Sequence, residues 1–346
     1  HRDLHYPLRR QRQMCIRDSP WLAQLRRSLP RLSPVATAAV EQPLIDDQQL
    51  QELRAQAAQS LPALIRFEHN VAQPRIGDRL SRFRGQGFEF EENRIYQPGD
   101  EQRLINWRLY ARRGELYSKV FVEERRPEVV VLVDRRAAMR FGTRVRLKAA
   151  LAAQLAIITL FQARQRMIAA GGVVLEDSAH WFSPEQGQVG LDALIEAIRA
   201  PCPPQLFDRQ QESLQGVLAQ LDLRLRAGCF ILLLSDFADL DVDTSAPILR
   251  RLGEKHTVQA IRIQDAVESR LPPIQPLLID NPGSDPMLVD GREANRDGRY
   301  HAAVEQQWHA LQTCFTQSRI AVYSCEAASE WRDCLQQAAW GTEGHG

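Results

Sequence analysis

From residue 128 onward, short apolar runs alternate with longer stretches in which apolar residues recur every three or four positions. The runs EVVVLVD, at residues 128–134, and CFILLLSD, at residues 229–236, are nearly continuous. Such runs are typical of strands buried on both faces of a parallel sheet. Leu214, Val217 and Leu218 illustrate the helical spacing between strands. The alternation predicts an α/β fold with a doubly wound, mostly parallel sheet and right-handed crossovers.

The same pattern predicts the individual elements. Strands are expected at residues 128–134, 167–175, 179–182, 229–236, 257–263 and 320–324. Helices are expected at residues 146–165, 188–200, 208–226, 247–255, 293–318 and 326–340. Short apolar runs at 277–280 and 287–290 predict a hairpin at one edge of the sheet. Together these elements make a domain over residues 127–340, followed by a tail at 341–346.

A small β-rich subdomain is predicted ahead of this domain, over residues 61–126. Alternation around Ser118 and Val120 predicts one of its strands. Residues 20–60 are rich in Pro, Ala and Gln and predict a poorly ordered lead-in that ends in a short helix from 47 to 60. The motif MCIRDS within residues 1–19 resembles a translated sequencing adaptor, so we expect that stretch to be an artefact outside the fold.

Composition narrows the class of protein. Hydrophobic residues make up 44% and charged residues 25%, which is ordinary for a globular chain. The net charge of +1 gives no field that would steer the chain to nucleic acid or to an anionic membrane. Six scattered cysteines without a CxxC pair indicate neither a disulfide framework nor a zinc site. The most apolar stretch, 149–161, is too short to span a bilayer. We therefore expect a cytoplasmic protein without a membrane segment, a nucleic-acid partner or a cofactor.

Two carboxylates mark the candidate site of the α/β domain. Asp134 and Asp236 each follow a buried strand, so both should lie at the carboxyl edge of the sheet, where ligands bind in open α/β folds. Two carboxylates there would suit a hard cation. Alternatively, each caps the turn or helix that follows it.

The segments EVVVLVDRRAAM and CFILLLSDF resemble the von Willebrand factor A fold. In that fold a metal-ion-dependent adhesion site needs Asp-x-Ser-x-Ser after the first strand and an acid after a later one. Asp134 and Asp236 stand at the acidic positions, but Arg136 and Ala138 replace the two serines. The resemblance therefore implies a vestigial site that binds no metal, and we expect Arg136 to form an ion pair with Asp236 or Asp134 in place of the cation.

A second segment, GQGFEFEENRIYQPGDEQRLINWRLYARRGELYSKVF at residues 85–121, resembles the signature of the bacterial domain-of-unknown-function family 58 (DUF58). The matching residues are Glu89, Phe90, Glu92, Arg94, Tyr96, Pro98, Gly99, Asp100, Arg103, Ile105, Trp107, Ala111 and Arg112. Asn106 departs from the pattern, since an acid is usual there. The later QDAVESRLP, at residues 264–272, also fits the family, and the resemblance covers about residues 60–340.

The resemblance implies a non-catalytic adaptor or co-chaperone for a MoxR-type AAA+ ATPase, acting on a client protein. The expected contact surfaces are the sheet edge and the arginine-rich segment. The interaction residues predicted in that segment are Arg94, Asp100, Arg103, Trp107, Arg112 and Arg113. Alternatively, these residues only hold the β-rich unit together.

The rival hypothesis is a metal-dependent hydrolase or phosphoryl-transfer enzyme that uses the strand-end aspartates. A phosphoryl-accepting aspartate of that kind needs a second acid two residues on, where Arg136 stands. The chain has no GxSxG, HExxH or GxxxxGK[ST] motif. Ser235 and Asp236 could pair with His256 as a triad, but a serine after a buried strand more often caps a turn. The sequence therefore favours a protein that is not an enzyme.

Overall fold

The computed structural model describes residues 42–58, 88–100, 102–123, 128–143, 145–185, 188–203, 211–269, 277–279, 287–289 and 299–340. The stretch expected to be an artefact, most of the lead-in and the tail lie outside these residues.

Helices and strands follow one another along the described chain largely as the sequence predicts. The helices are α1 (Asp47–Ala58), α2 (Trp107–Arg113), α3 (Lys148–Gln165), α4 (Gln188–Arg199), α5 (Leu214–Arg224), α6 (Val242–Lys255), α7 (Ala266–Ser269), α8 (Arg299–Gln317) and α9 (Trp331–Trp340). The strands are β1 (Phe88–Ile95), β2 (Tyr117–Glu123), β3 (Glu128–Asp134), β4 (Ala169–Leu175), β5 (Ala179–Glu185), β6 (Phe230–Ser235), β7 (Thr257–Gln264), β8 (Leu277–Ile279), β9 (Met287–Val289) and β10 (Ala321–Glu326). Short 3₁₀ turns occupy Gln102–Leu104 and Ala137–Arg140.

The main sheet of the described chain has six strands in the order β10-β7-β6-β3-β4-β5. All neighbours are parallel except β5, which runs antiparallel to β4 at one edge. The chain moves from β3 towards β4 and β5, and then returns to the other side of β3 to form β6, β7 and β10. The order of strands therefore reverses between β3 and β6, and this switch point is where open α/β sheets place their ligands. The predicted α/β fold class is confirmed.

Two hydrophobic layers, one on each face of the sheet, explain the continuous apolar runs. Val129, Val131 and Val133 of β3 pack into a core with α1, α3, α4 and α9. Val130 and Leu132 pack on the opposite face with α5, α6 and α8. Because side chains alternate between the faces of a strand, a strand covered on both faces must be apolar at every position.

Helix α3 lies in the middle of the first layer. Fifteen of its eighteen residues are buried. The sheet and α4 cover one part of its surface, while α9 and α1 cover others, with Leu53 and Ala57 of α1 buried in the same core. Six alanines in α3 allow these neighbours to approach closely. The amino end of this helix is therefore placed deep at the carboxyl edge of the sheet.

Arg135 ties the carboxyl end of α4 to the sheet edge. Its side chain is 1% exposed and donates hydrogen bonds to the carbonyl oxygens of Ala197, of Ile198 at 3.2 Å and of Ala200 at 2.8 Å. The last carbonyls of a helix lack partners within the helix and carry partial negative charge. The buried guanidinium of Arg135 supplies these carbonyls with hydrogen-bond donors and with a positive charge.

Several predicted boundaries are wrong for identifiable reasons. Helix α6 begins at Val242 and not at Pro247, because Asp241 caps it by accepting the backbone N–H of Thr244 at 3.0 Å, and Pro247 lies within the helix. Helix α9 begins at Trp331, since Glu326 is the last residue of β10. Strands β8 and β9 form the predicted hairpin, but in the described chain they make a separate two-stranded sheet and do not extend the main one.

The segment ahead of the α/β domain contains the antiparallel pair β1–β2 with α2 inserted between the strands. It is thus a hairpin with a short helix, and residues 61–87 of the predicted β-rich subdomain lie outside the described residues. Within the part of the chain that is described, no helix combines the length and the apolar composition that crossing a membrane requires.

Candidate functional site

The two strand-end aspartates lie at the same edge of the sheet, on either side of the switch point. Strands β3 and β6 are parallel neighbours with Val133 opposite Leu234, so Asp134 and Asp236 end the strands side by side. Asp134 is 1% exposed. The prediction that both carboxylates share one edge is confirmed by the register of these two strands.

Asp134 is held by an arginine and a serine. The Arg136 guanidinium donates to it through Nε at 3.0 Å and Nη2 at 2.7 Å, and the Arg136 backbone N–H donates at 3.0 Å. The Ser235 hydroxyl adds a fourth hydrogen bond from the described residues, at 2.7 Å. Every hydrogen-bonding position of this carboxylate is therefore directed at groups of its own chain.

Arg136 bridges Asp134 to a second carboxylate, Asp239. Nη1 and Nη2 of Arg136 reach the two carboxylate oxygens of Asp239 at 2.5 and 2.9 Å. Burial acts to lower the pKa of the Arg136 guanidinium, but the charges of Asp134 and Asp239 outweigh it and raise the pKa above its ordinary value. Burial likewise acts to raise the pKa of Asp239, and the hydrogen bond and charge of Arg136 lower it.

Asp236 has a different partner from the one predicted. Its carboxylate accepts a hydrogen bond at 2.9 Å from the Nζ of Lys148, the first residue of α3, and not from Arg136. Lys148 is fully buried and also donates to Glu268 at 2.5 Å. Burial acts to lower the pKa of Lys148, but the charges of Asp236 and Glu268 raise it, so the ammonium form is the stable one. Of the two ion pairs expected as alternatives for Arg136, the one with Asp134 is present, and Asp236 pairs with Lys148.

Glu268 and Asp265 extend the edge into the QDAVESRLP segment. Asp265 accepts the backbone N–H of Thr143 at 2.8 Å and its hydroxyl at 2.5 Å. Burial acts to raise the pKa of Asp265, but these two hydrogen bonds lower it below its ordinary value. Glu268 in turn accepts the backbone N–H of Asp265 at 2.9 Å, which is a capping arrangement at the start of α7. The segment that the sequence marks as family-like thus joins the loop before α3 to the sheet edge.

Helix α2 carries the second predicted surface. Asn106 caps its amino end through the N–H of Leu109 at 3.2 Å, and Gly114 ends it in the left-handed region with φ 74°. None of its residues is buried. Trp107 and Tyr110 are 59% and 42% exposed and contact each other edge to face, with ring centroids 6.1 Å apart.

Two arginines flank the aromatic pair on the same helix. Arg108 and Arg112 are one turn apart and, with Asn106 and Leu109, line a shallow cleft of about 320 Å³. At about 100° per residue, the exposed Ala111 lies between the aromatic pair and the arginine pair. We call the five residues Trp107, Arg108, Tyr110, Ala111 and Arg112 the α2 surface.

The family model for "Protein of unknown function DUF58" matches residues 92–310, which include α2, both strand-end aspartates and Glu268. The chain belongs to this family. The predicted DUF58 membership is therefore confirmed.

Relatives of this DUF58 chain include uncharacterised proteins of Mycobacterium tuberculosis and Mycobacterium bovis. Each is 26% identical over 206 residues, which is 59% of this chain and 64% of the relative. The DUF58 chain thus spans less than two thirds of the length of these relatives.

Three solved structures are also similar to parts of the DUF58 chain. An aerotolerance-related membrane protein from Bacteroides fragilis has a TM-score of 0.36 at 11% identity, covering 61% of this chain and 98% of its own. BatB from Bacteroides thetaiotaomicron has a TM-score of 0.35 at 10% identity, covering 62% and 98%. A von Willebrand factor type A protein from Catenulispora acidiphila has a TM-score of 0.34 at 12% identity, covering 64% and 44%.

The DUF58 signature residues fall into two groups in the structure. Arg94 and Asp100 form an ion pair at 2.5 Å within the hairpin, and Asp100 also accepts the N–H of Gln97 at 2.9 Å across the PGD turn. That backbone hydrogen bond and the Arg94 pair lower the pKa of Asp100. Arg103, Trp107, Arg112 and Arg113 are exposed. The first pair holds the turn, and the second group lies on the surface of the described chain.

Lys148 is the functional residue that sequence reasoning missed, although a signal for it exists. The chain has only three lysines, Lys119, Lys148 and Lys255, among 44 basic residues. Lys148 opens a helix whose first two turns are otherwise almost entirely apolar. A cation at such a position must be paired when buried, which would have directed attention to the strand-end acids. Ala138, the remaining position of the predicted vestigial site, lies in the 3₁₀ turn after β3.

The suggested triad of Ser235, Asp236 and His256 does not assemble. His256 precedes β7 at the end of the sheet where β6 begins, since Thr257 pairs with Phe230. Ser235 is five residues further along β6, or about 16 Å at about 3.3 Å per residue. Its hydroxyl instead donates to Asp134 and accepts the N–H of Phe237 at 3.1 Å, which caps the turn.

His256 gives the domain a pH dependence of its own. Its side chain is buried, neither ring nitrogen has a partner among the described residues, and burial followed by the charge of Lys255 lowers its pKa from 6.5 to about 4, with Asp222 opposing. The unfolded chain therefore binds the proton more tightly. Stability is full above pH 6.5 and falls as the pH drops towards 4.

We expect this loss to amount to about 3 kcal/mol, at about 1.4 kcal/mol per pKa unit. Urea unfolding of the native chain and of His256→Gln across this range measures it. On acidification, the free energy of unfolding of the native chain should fall relative to that of His256→Gln. An unchanged difference would show that protonation of His256 is not linked to folding.

Proposed function

We propose that this DUF58 chain is a non-catalytic protein-binding module, an adaptor for a MoxR-type AAA+ ATPase that acts on a client protein. The observation that carries the proposal is a set of ion pairs at the switch point, in which basic side chains of the chain itself stand where a metal ion would be needed. Arg136 pairs with Asp134 and Asp239, and Lys148 pairs with Asp236 and Glu268. Each of these acidic side chains thus has a basic partner from its own chain.

The residues present do not fit a divalent cation. Mg²⁺ and Ca²⁺ need carboxylate, hydroxyl or water oxygens with free lone pairs. The oxygens of Asp134 accept hydrogen bonds from Arg136 and Ser235, and a guanidinium within 3.0 Å would repel the ion. No group of three or more acidic, histidine or cysteine side chains placed to hold a metal occurs among the described residues. This supports a degenerate metal-ion-dependent adhesion site.

The same contacts argue against the hydrolase alternative. A nucleophilic aspartate must present an unshared lone pair to the substrate, and Asp134 is 1% exposed with four donors on its carboxylate. Asp236 is bound to Lys148, whose side chain is fully buried. Among the described residues, the α2 surface and the outer rim of the sheet edge are the exposed parts that we propose for recognition.

Calorimetric titration with Mg²⁺ or Mn²⁺ tests the metal part of this proposal. We expect no saturable heat, because a cation would have to displace Arg136 from a buried carboxylate. The variant Arg136→Ser, in which a hydroxyl replaces the guanidinium, is the matched comparison. Micromolar binding by the native chain would overturn the degenerate-site interpretation.

Co-purification with the MoxR-type ATPase of the same genome tests the adaptor part. We expect the full chain to retain the ATPase, and a chain with both Arg112 and Arg113 changed to glutamine to retain less at an unchanged melting temperature. An Asp100→Ala variant serves as the structural control, because loss of its hydrogen bonds with Gln97 and Arg94 should loosen the hairpin itself. Failure of the native chain to retain the ATPase would refute the adaptor role.

A further inference from the structure

Helix α2 is positioned firmly although none of its residues is buried. A seven-residue helix is unstable on its own in water. Here Asn106 holds it at the start, by capping and by donating to the Asn93 side chain at 2.9 Å, and the Gly114 N–H donates to the Tyr110 carbonyl at 2.8 Å at its end. The hairpin thus presents this helix to the outside in a fixed orientation.

On the α2 surface, two guanidinium groups without a carboxylate partner among the described residues lie next to two exposed aromatic rings. Within the described part of the chain, neither Arg108 nor Arg112 forms an ion pair with a carboxylate. The nearby Glu115 accepts the hydroxyl of Tyr117 at 3.0 Å. Trp107 and Tyr110 expose their rings beside these guanidinium groups. Trp, Tyr and Arg are the residue types that dominate binding energy at protein interfaces.

We propose that the α2 surface docks an acidic segment of a partner protein. Carboxylates of that segment pair with Arg108 and Arg112 in the shallow cleft, and an apolar side chain packs on Trp107 and Tyr110. The inference rests on the proposed protein-binding function and adds the chemistry of the partner. Guanidinium forks bind carboxylates through two hydrogen bonds at once, which suits such a segment.

An acidic polypeptide fits this surface better than a nucleic acid does. The helix is only about 10 Å long, at about 1.5 Å per residue, and its cleft holds one pair of arginines. Single-stranded nucleic acid needs a positively charged groove that follows the backbone over several phosphates. The chain as a whole carries a net charge of +1, so it has no field that gathers a polyanion.

Ala111→Glu and Ala111→Gln form the decisive pair of variants. Ala111 is exposed between the arginines and the aromatic rings, and Glu and Gln are both good helix formers of equal size. Only the glutamate places a competing carboxylate in the middle of the surface. Arg54→Gln, at an exposed position of α1, lowers the net charge by the same single unit as Ala111→Glu and controls for that change.

The probes are a labelled peptide of alternating glutamate and leucine, its twin with glutamine for glutamate, and an oligonucleotide of deoxythymidine. We expect the full chain to bind the glutamate peptide at least about tenfold more tightly than the twin, and Ala111→Glu to weaken that binding by about tenfold relative to Ala111→Gln. Arg54→Gln should bind as the native chain does. Equal affinity for both peptides, equal binding by the two Ala111 variants, or tighter binding of the oligonucleotide would overturn the inference.

The peptide experiment and the ATPase experiment test the two proposals independently. A native chain that prefers the glutamate peptide but does not retain the ATPase would keep the docking chemistry and refute the adaptor role. A chain that retains the ATPase while showing no difference between the Ala111 variants would keep the adaptor role and refute docking at α2.

Discussion

Replacing Lys148 by methionine should lower the free energy of unfolding by about 3–5 kcal/mol, the cost of removing one partner of a buried ion pair. Lys148 is fully buried, and the side chain of Asp236 is 9% exposed. Methionine nearly fills the same volume, so the loss reflects the charge left behind on Asp236 and not a cavity. Urea unfolding followed by circular dichroism measures the effect.

Lys255→Met is the matched control for this variant. Lys255 also pairs with a carboxylate, Asp222, at 2.7 Å, but its side chain is 45% exposed and Arg251 remains as a second partner. Exposed pairs contribute about 0–1 kcal/mol. The double variant Lys148→Met with Asp236→Asn should recover part of the loss, since the buried charge of Asp236 is removed and only the more exposed Glu268 stays without its cation. Equal stability of the two methionine variants would contradict the assigned role of Lys148.

Arg136→Met should have an effect of similar size, about 3–5 kcal/mol. It strips the buried Asp134 of two of its four hydrogen bonds and leaves Asp239 without its cation. Burial acts to raise the pKa of Asp239, but Arg136 lowers it below its ordinary value of 3.8, so the stabilisation from this pair is lost as the pH falls below that value and the deficit relative to the native chain should narrow on acidification. Thermal or urea unfolding at neutral and acidic pH tests both statements.

Arg251→Met provides the comparison, because that guanidinium is 50% exposed and shares Asp222 with Lys255. We expect it to change stability by less than about 1 kcal/mol. A deficit of Arg136→Met that stays constant with pH would mean that the loss comes from packing and not from a buried charge.

The sheet and its carboxyl edge follow from the sequence because burial on both faces requires an unbroken apolar run. That requirement fixed the places of β3 and β6, and with them the adjacency of Asp134 and Asp236. The partners of these acids did not follow in the same way. Asp239 and Lys148 reach the edge through a turn and a helix whose three-dimensional course depends on packing by α1, α4 and α9.

Tertiary contacts also decide which residues of the signature segment pair within the hairpin and which stay exposed. Arg94, Asp100 and Arg112 are similar in the linear pattern, where each is a charged residue among aromatics. Only the pairing of β1 with β2 shows that Arg94 and Asp100 meet across a turn while Arg112 faces outward. Local charge predicts that a residue needs a partner, but it does not tell whether that partner lies in the same chain.

The burial of helix α3 restricts how far the helix can move within the domain. A helix with one side exposed to solvent can shift along its own axis when a ligand binds at one end. For α3, such a slide would break contacts with the sheet and three helices simultaneously and would drag Lys148 away from two carboxylates. Moving α3 would therefore break many contacts at once, so we expect the carboxyl edge of the sheet to keep its arrangement.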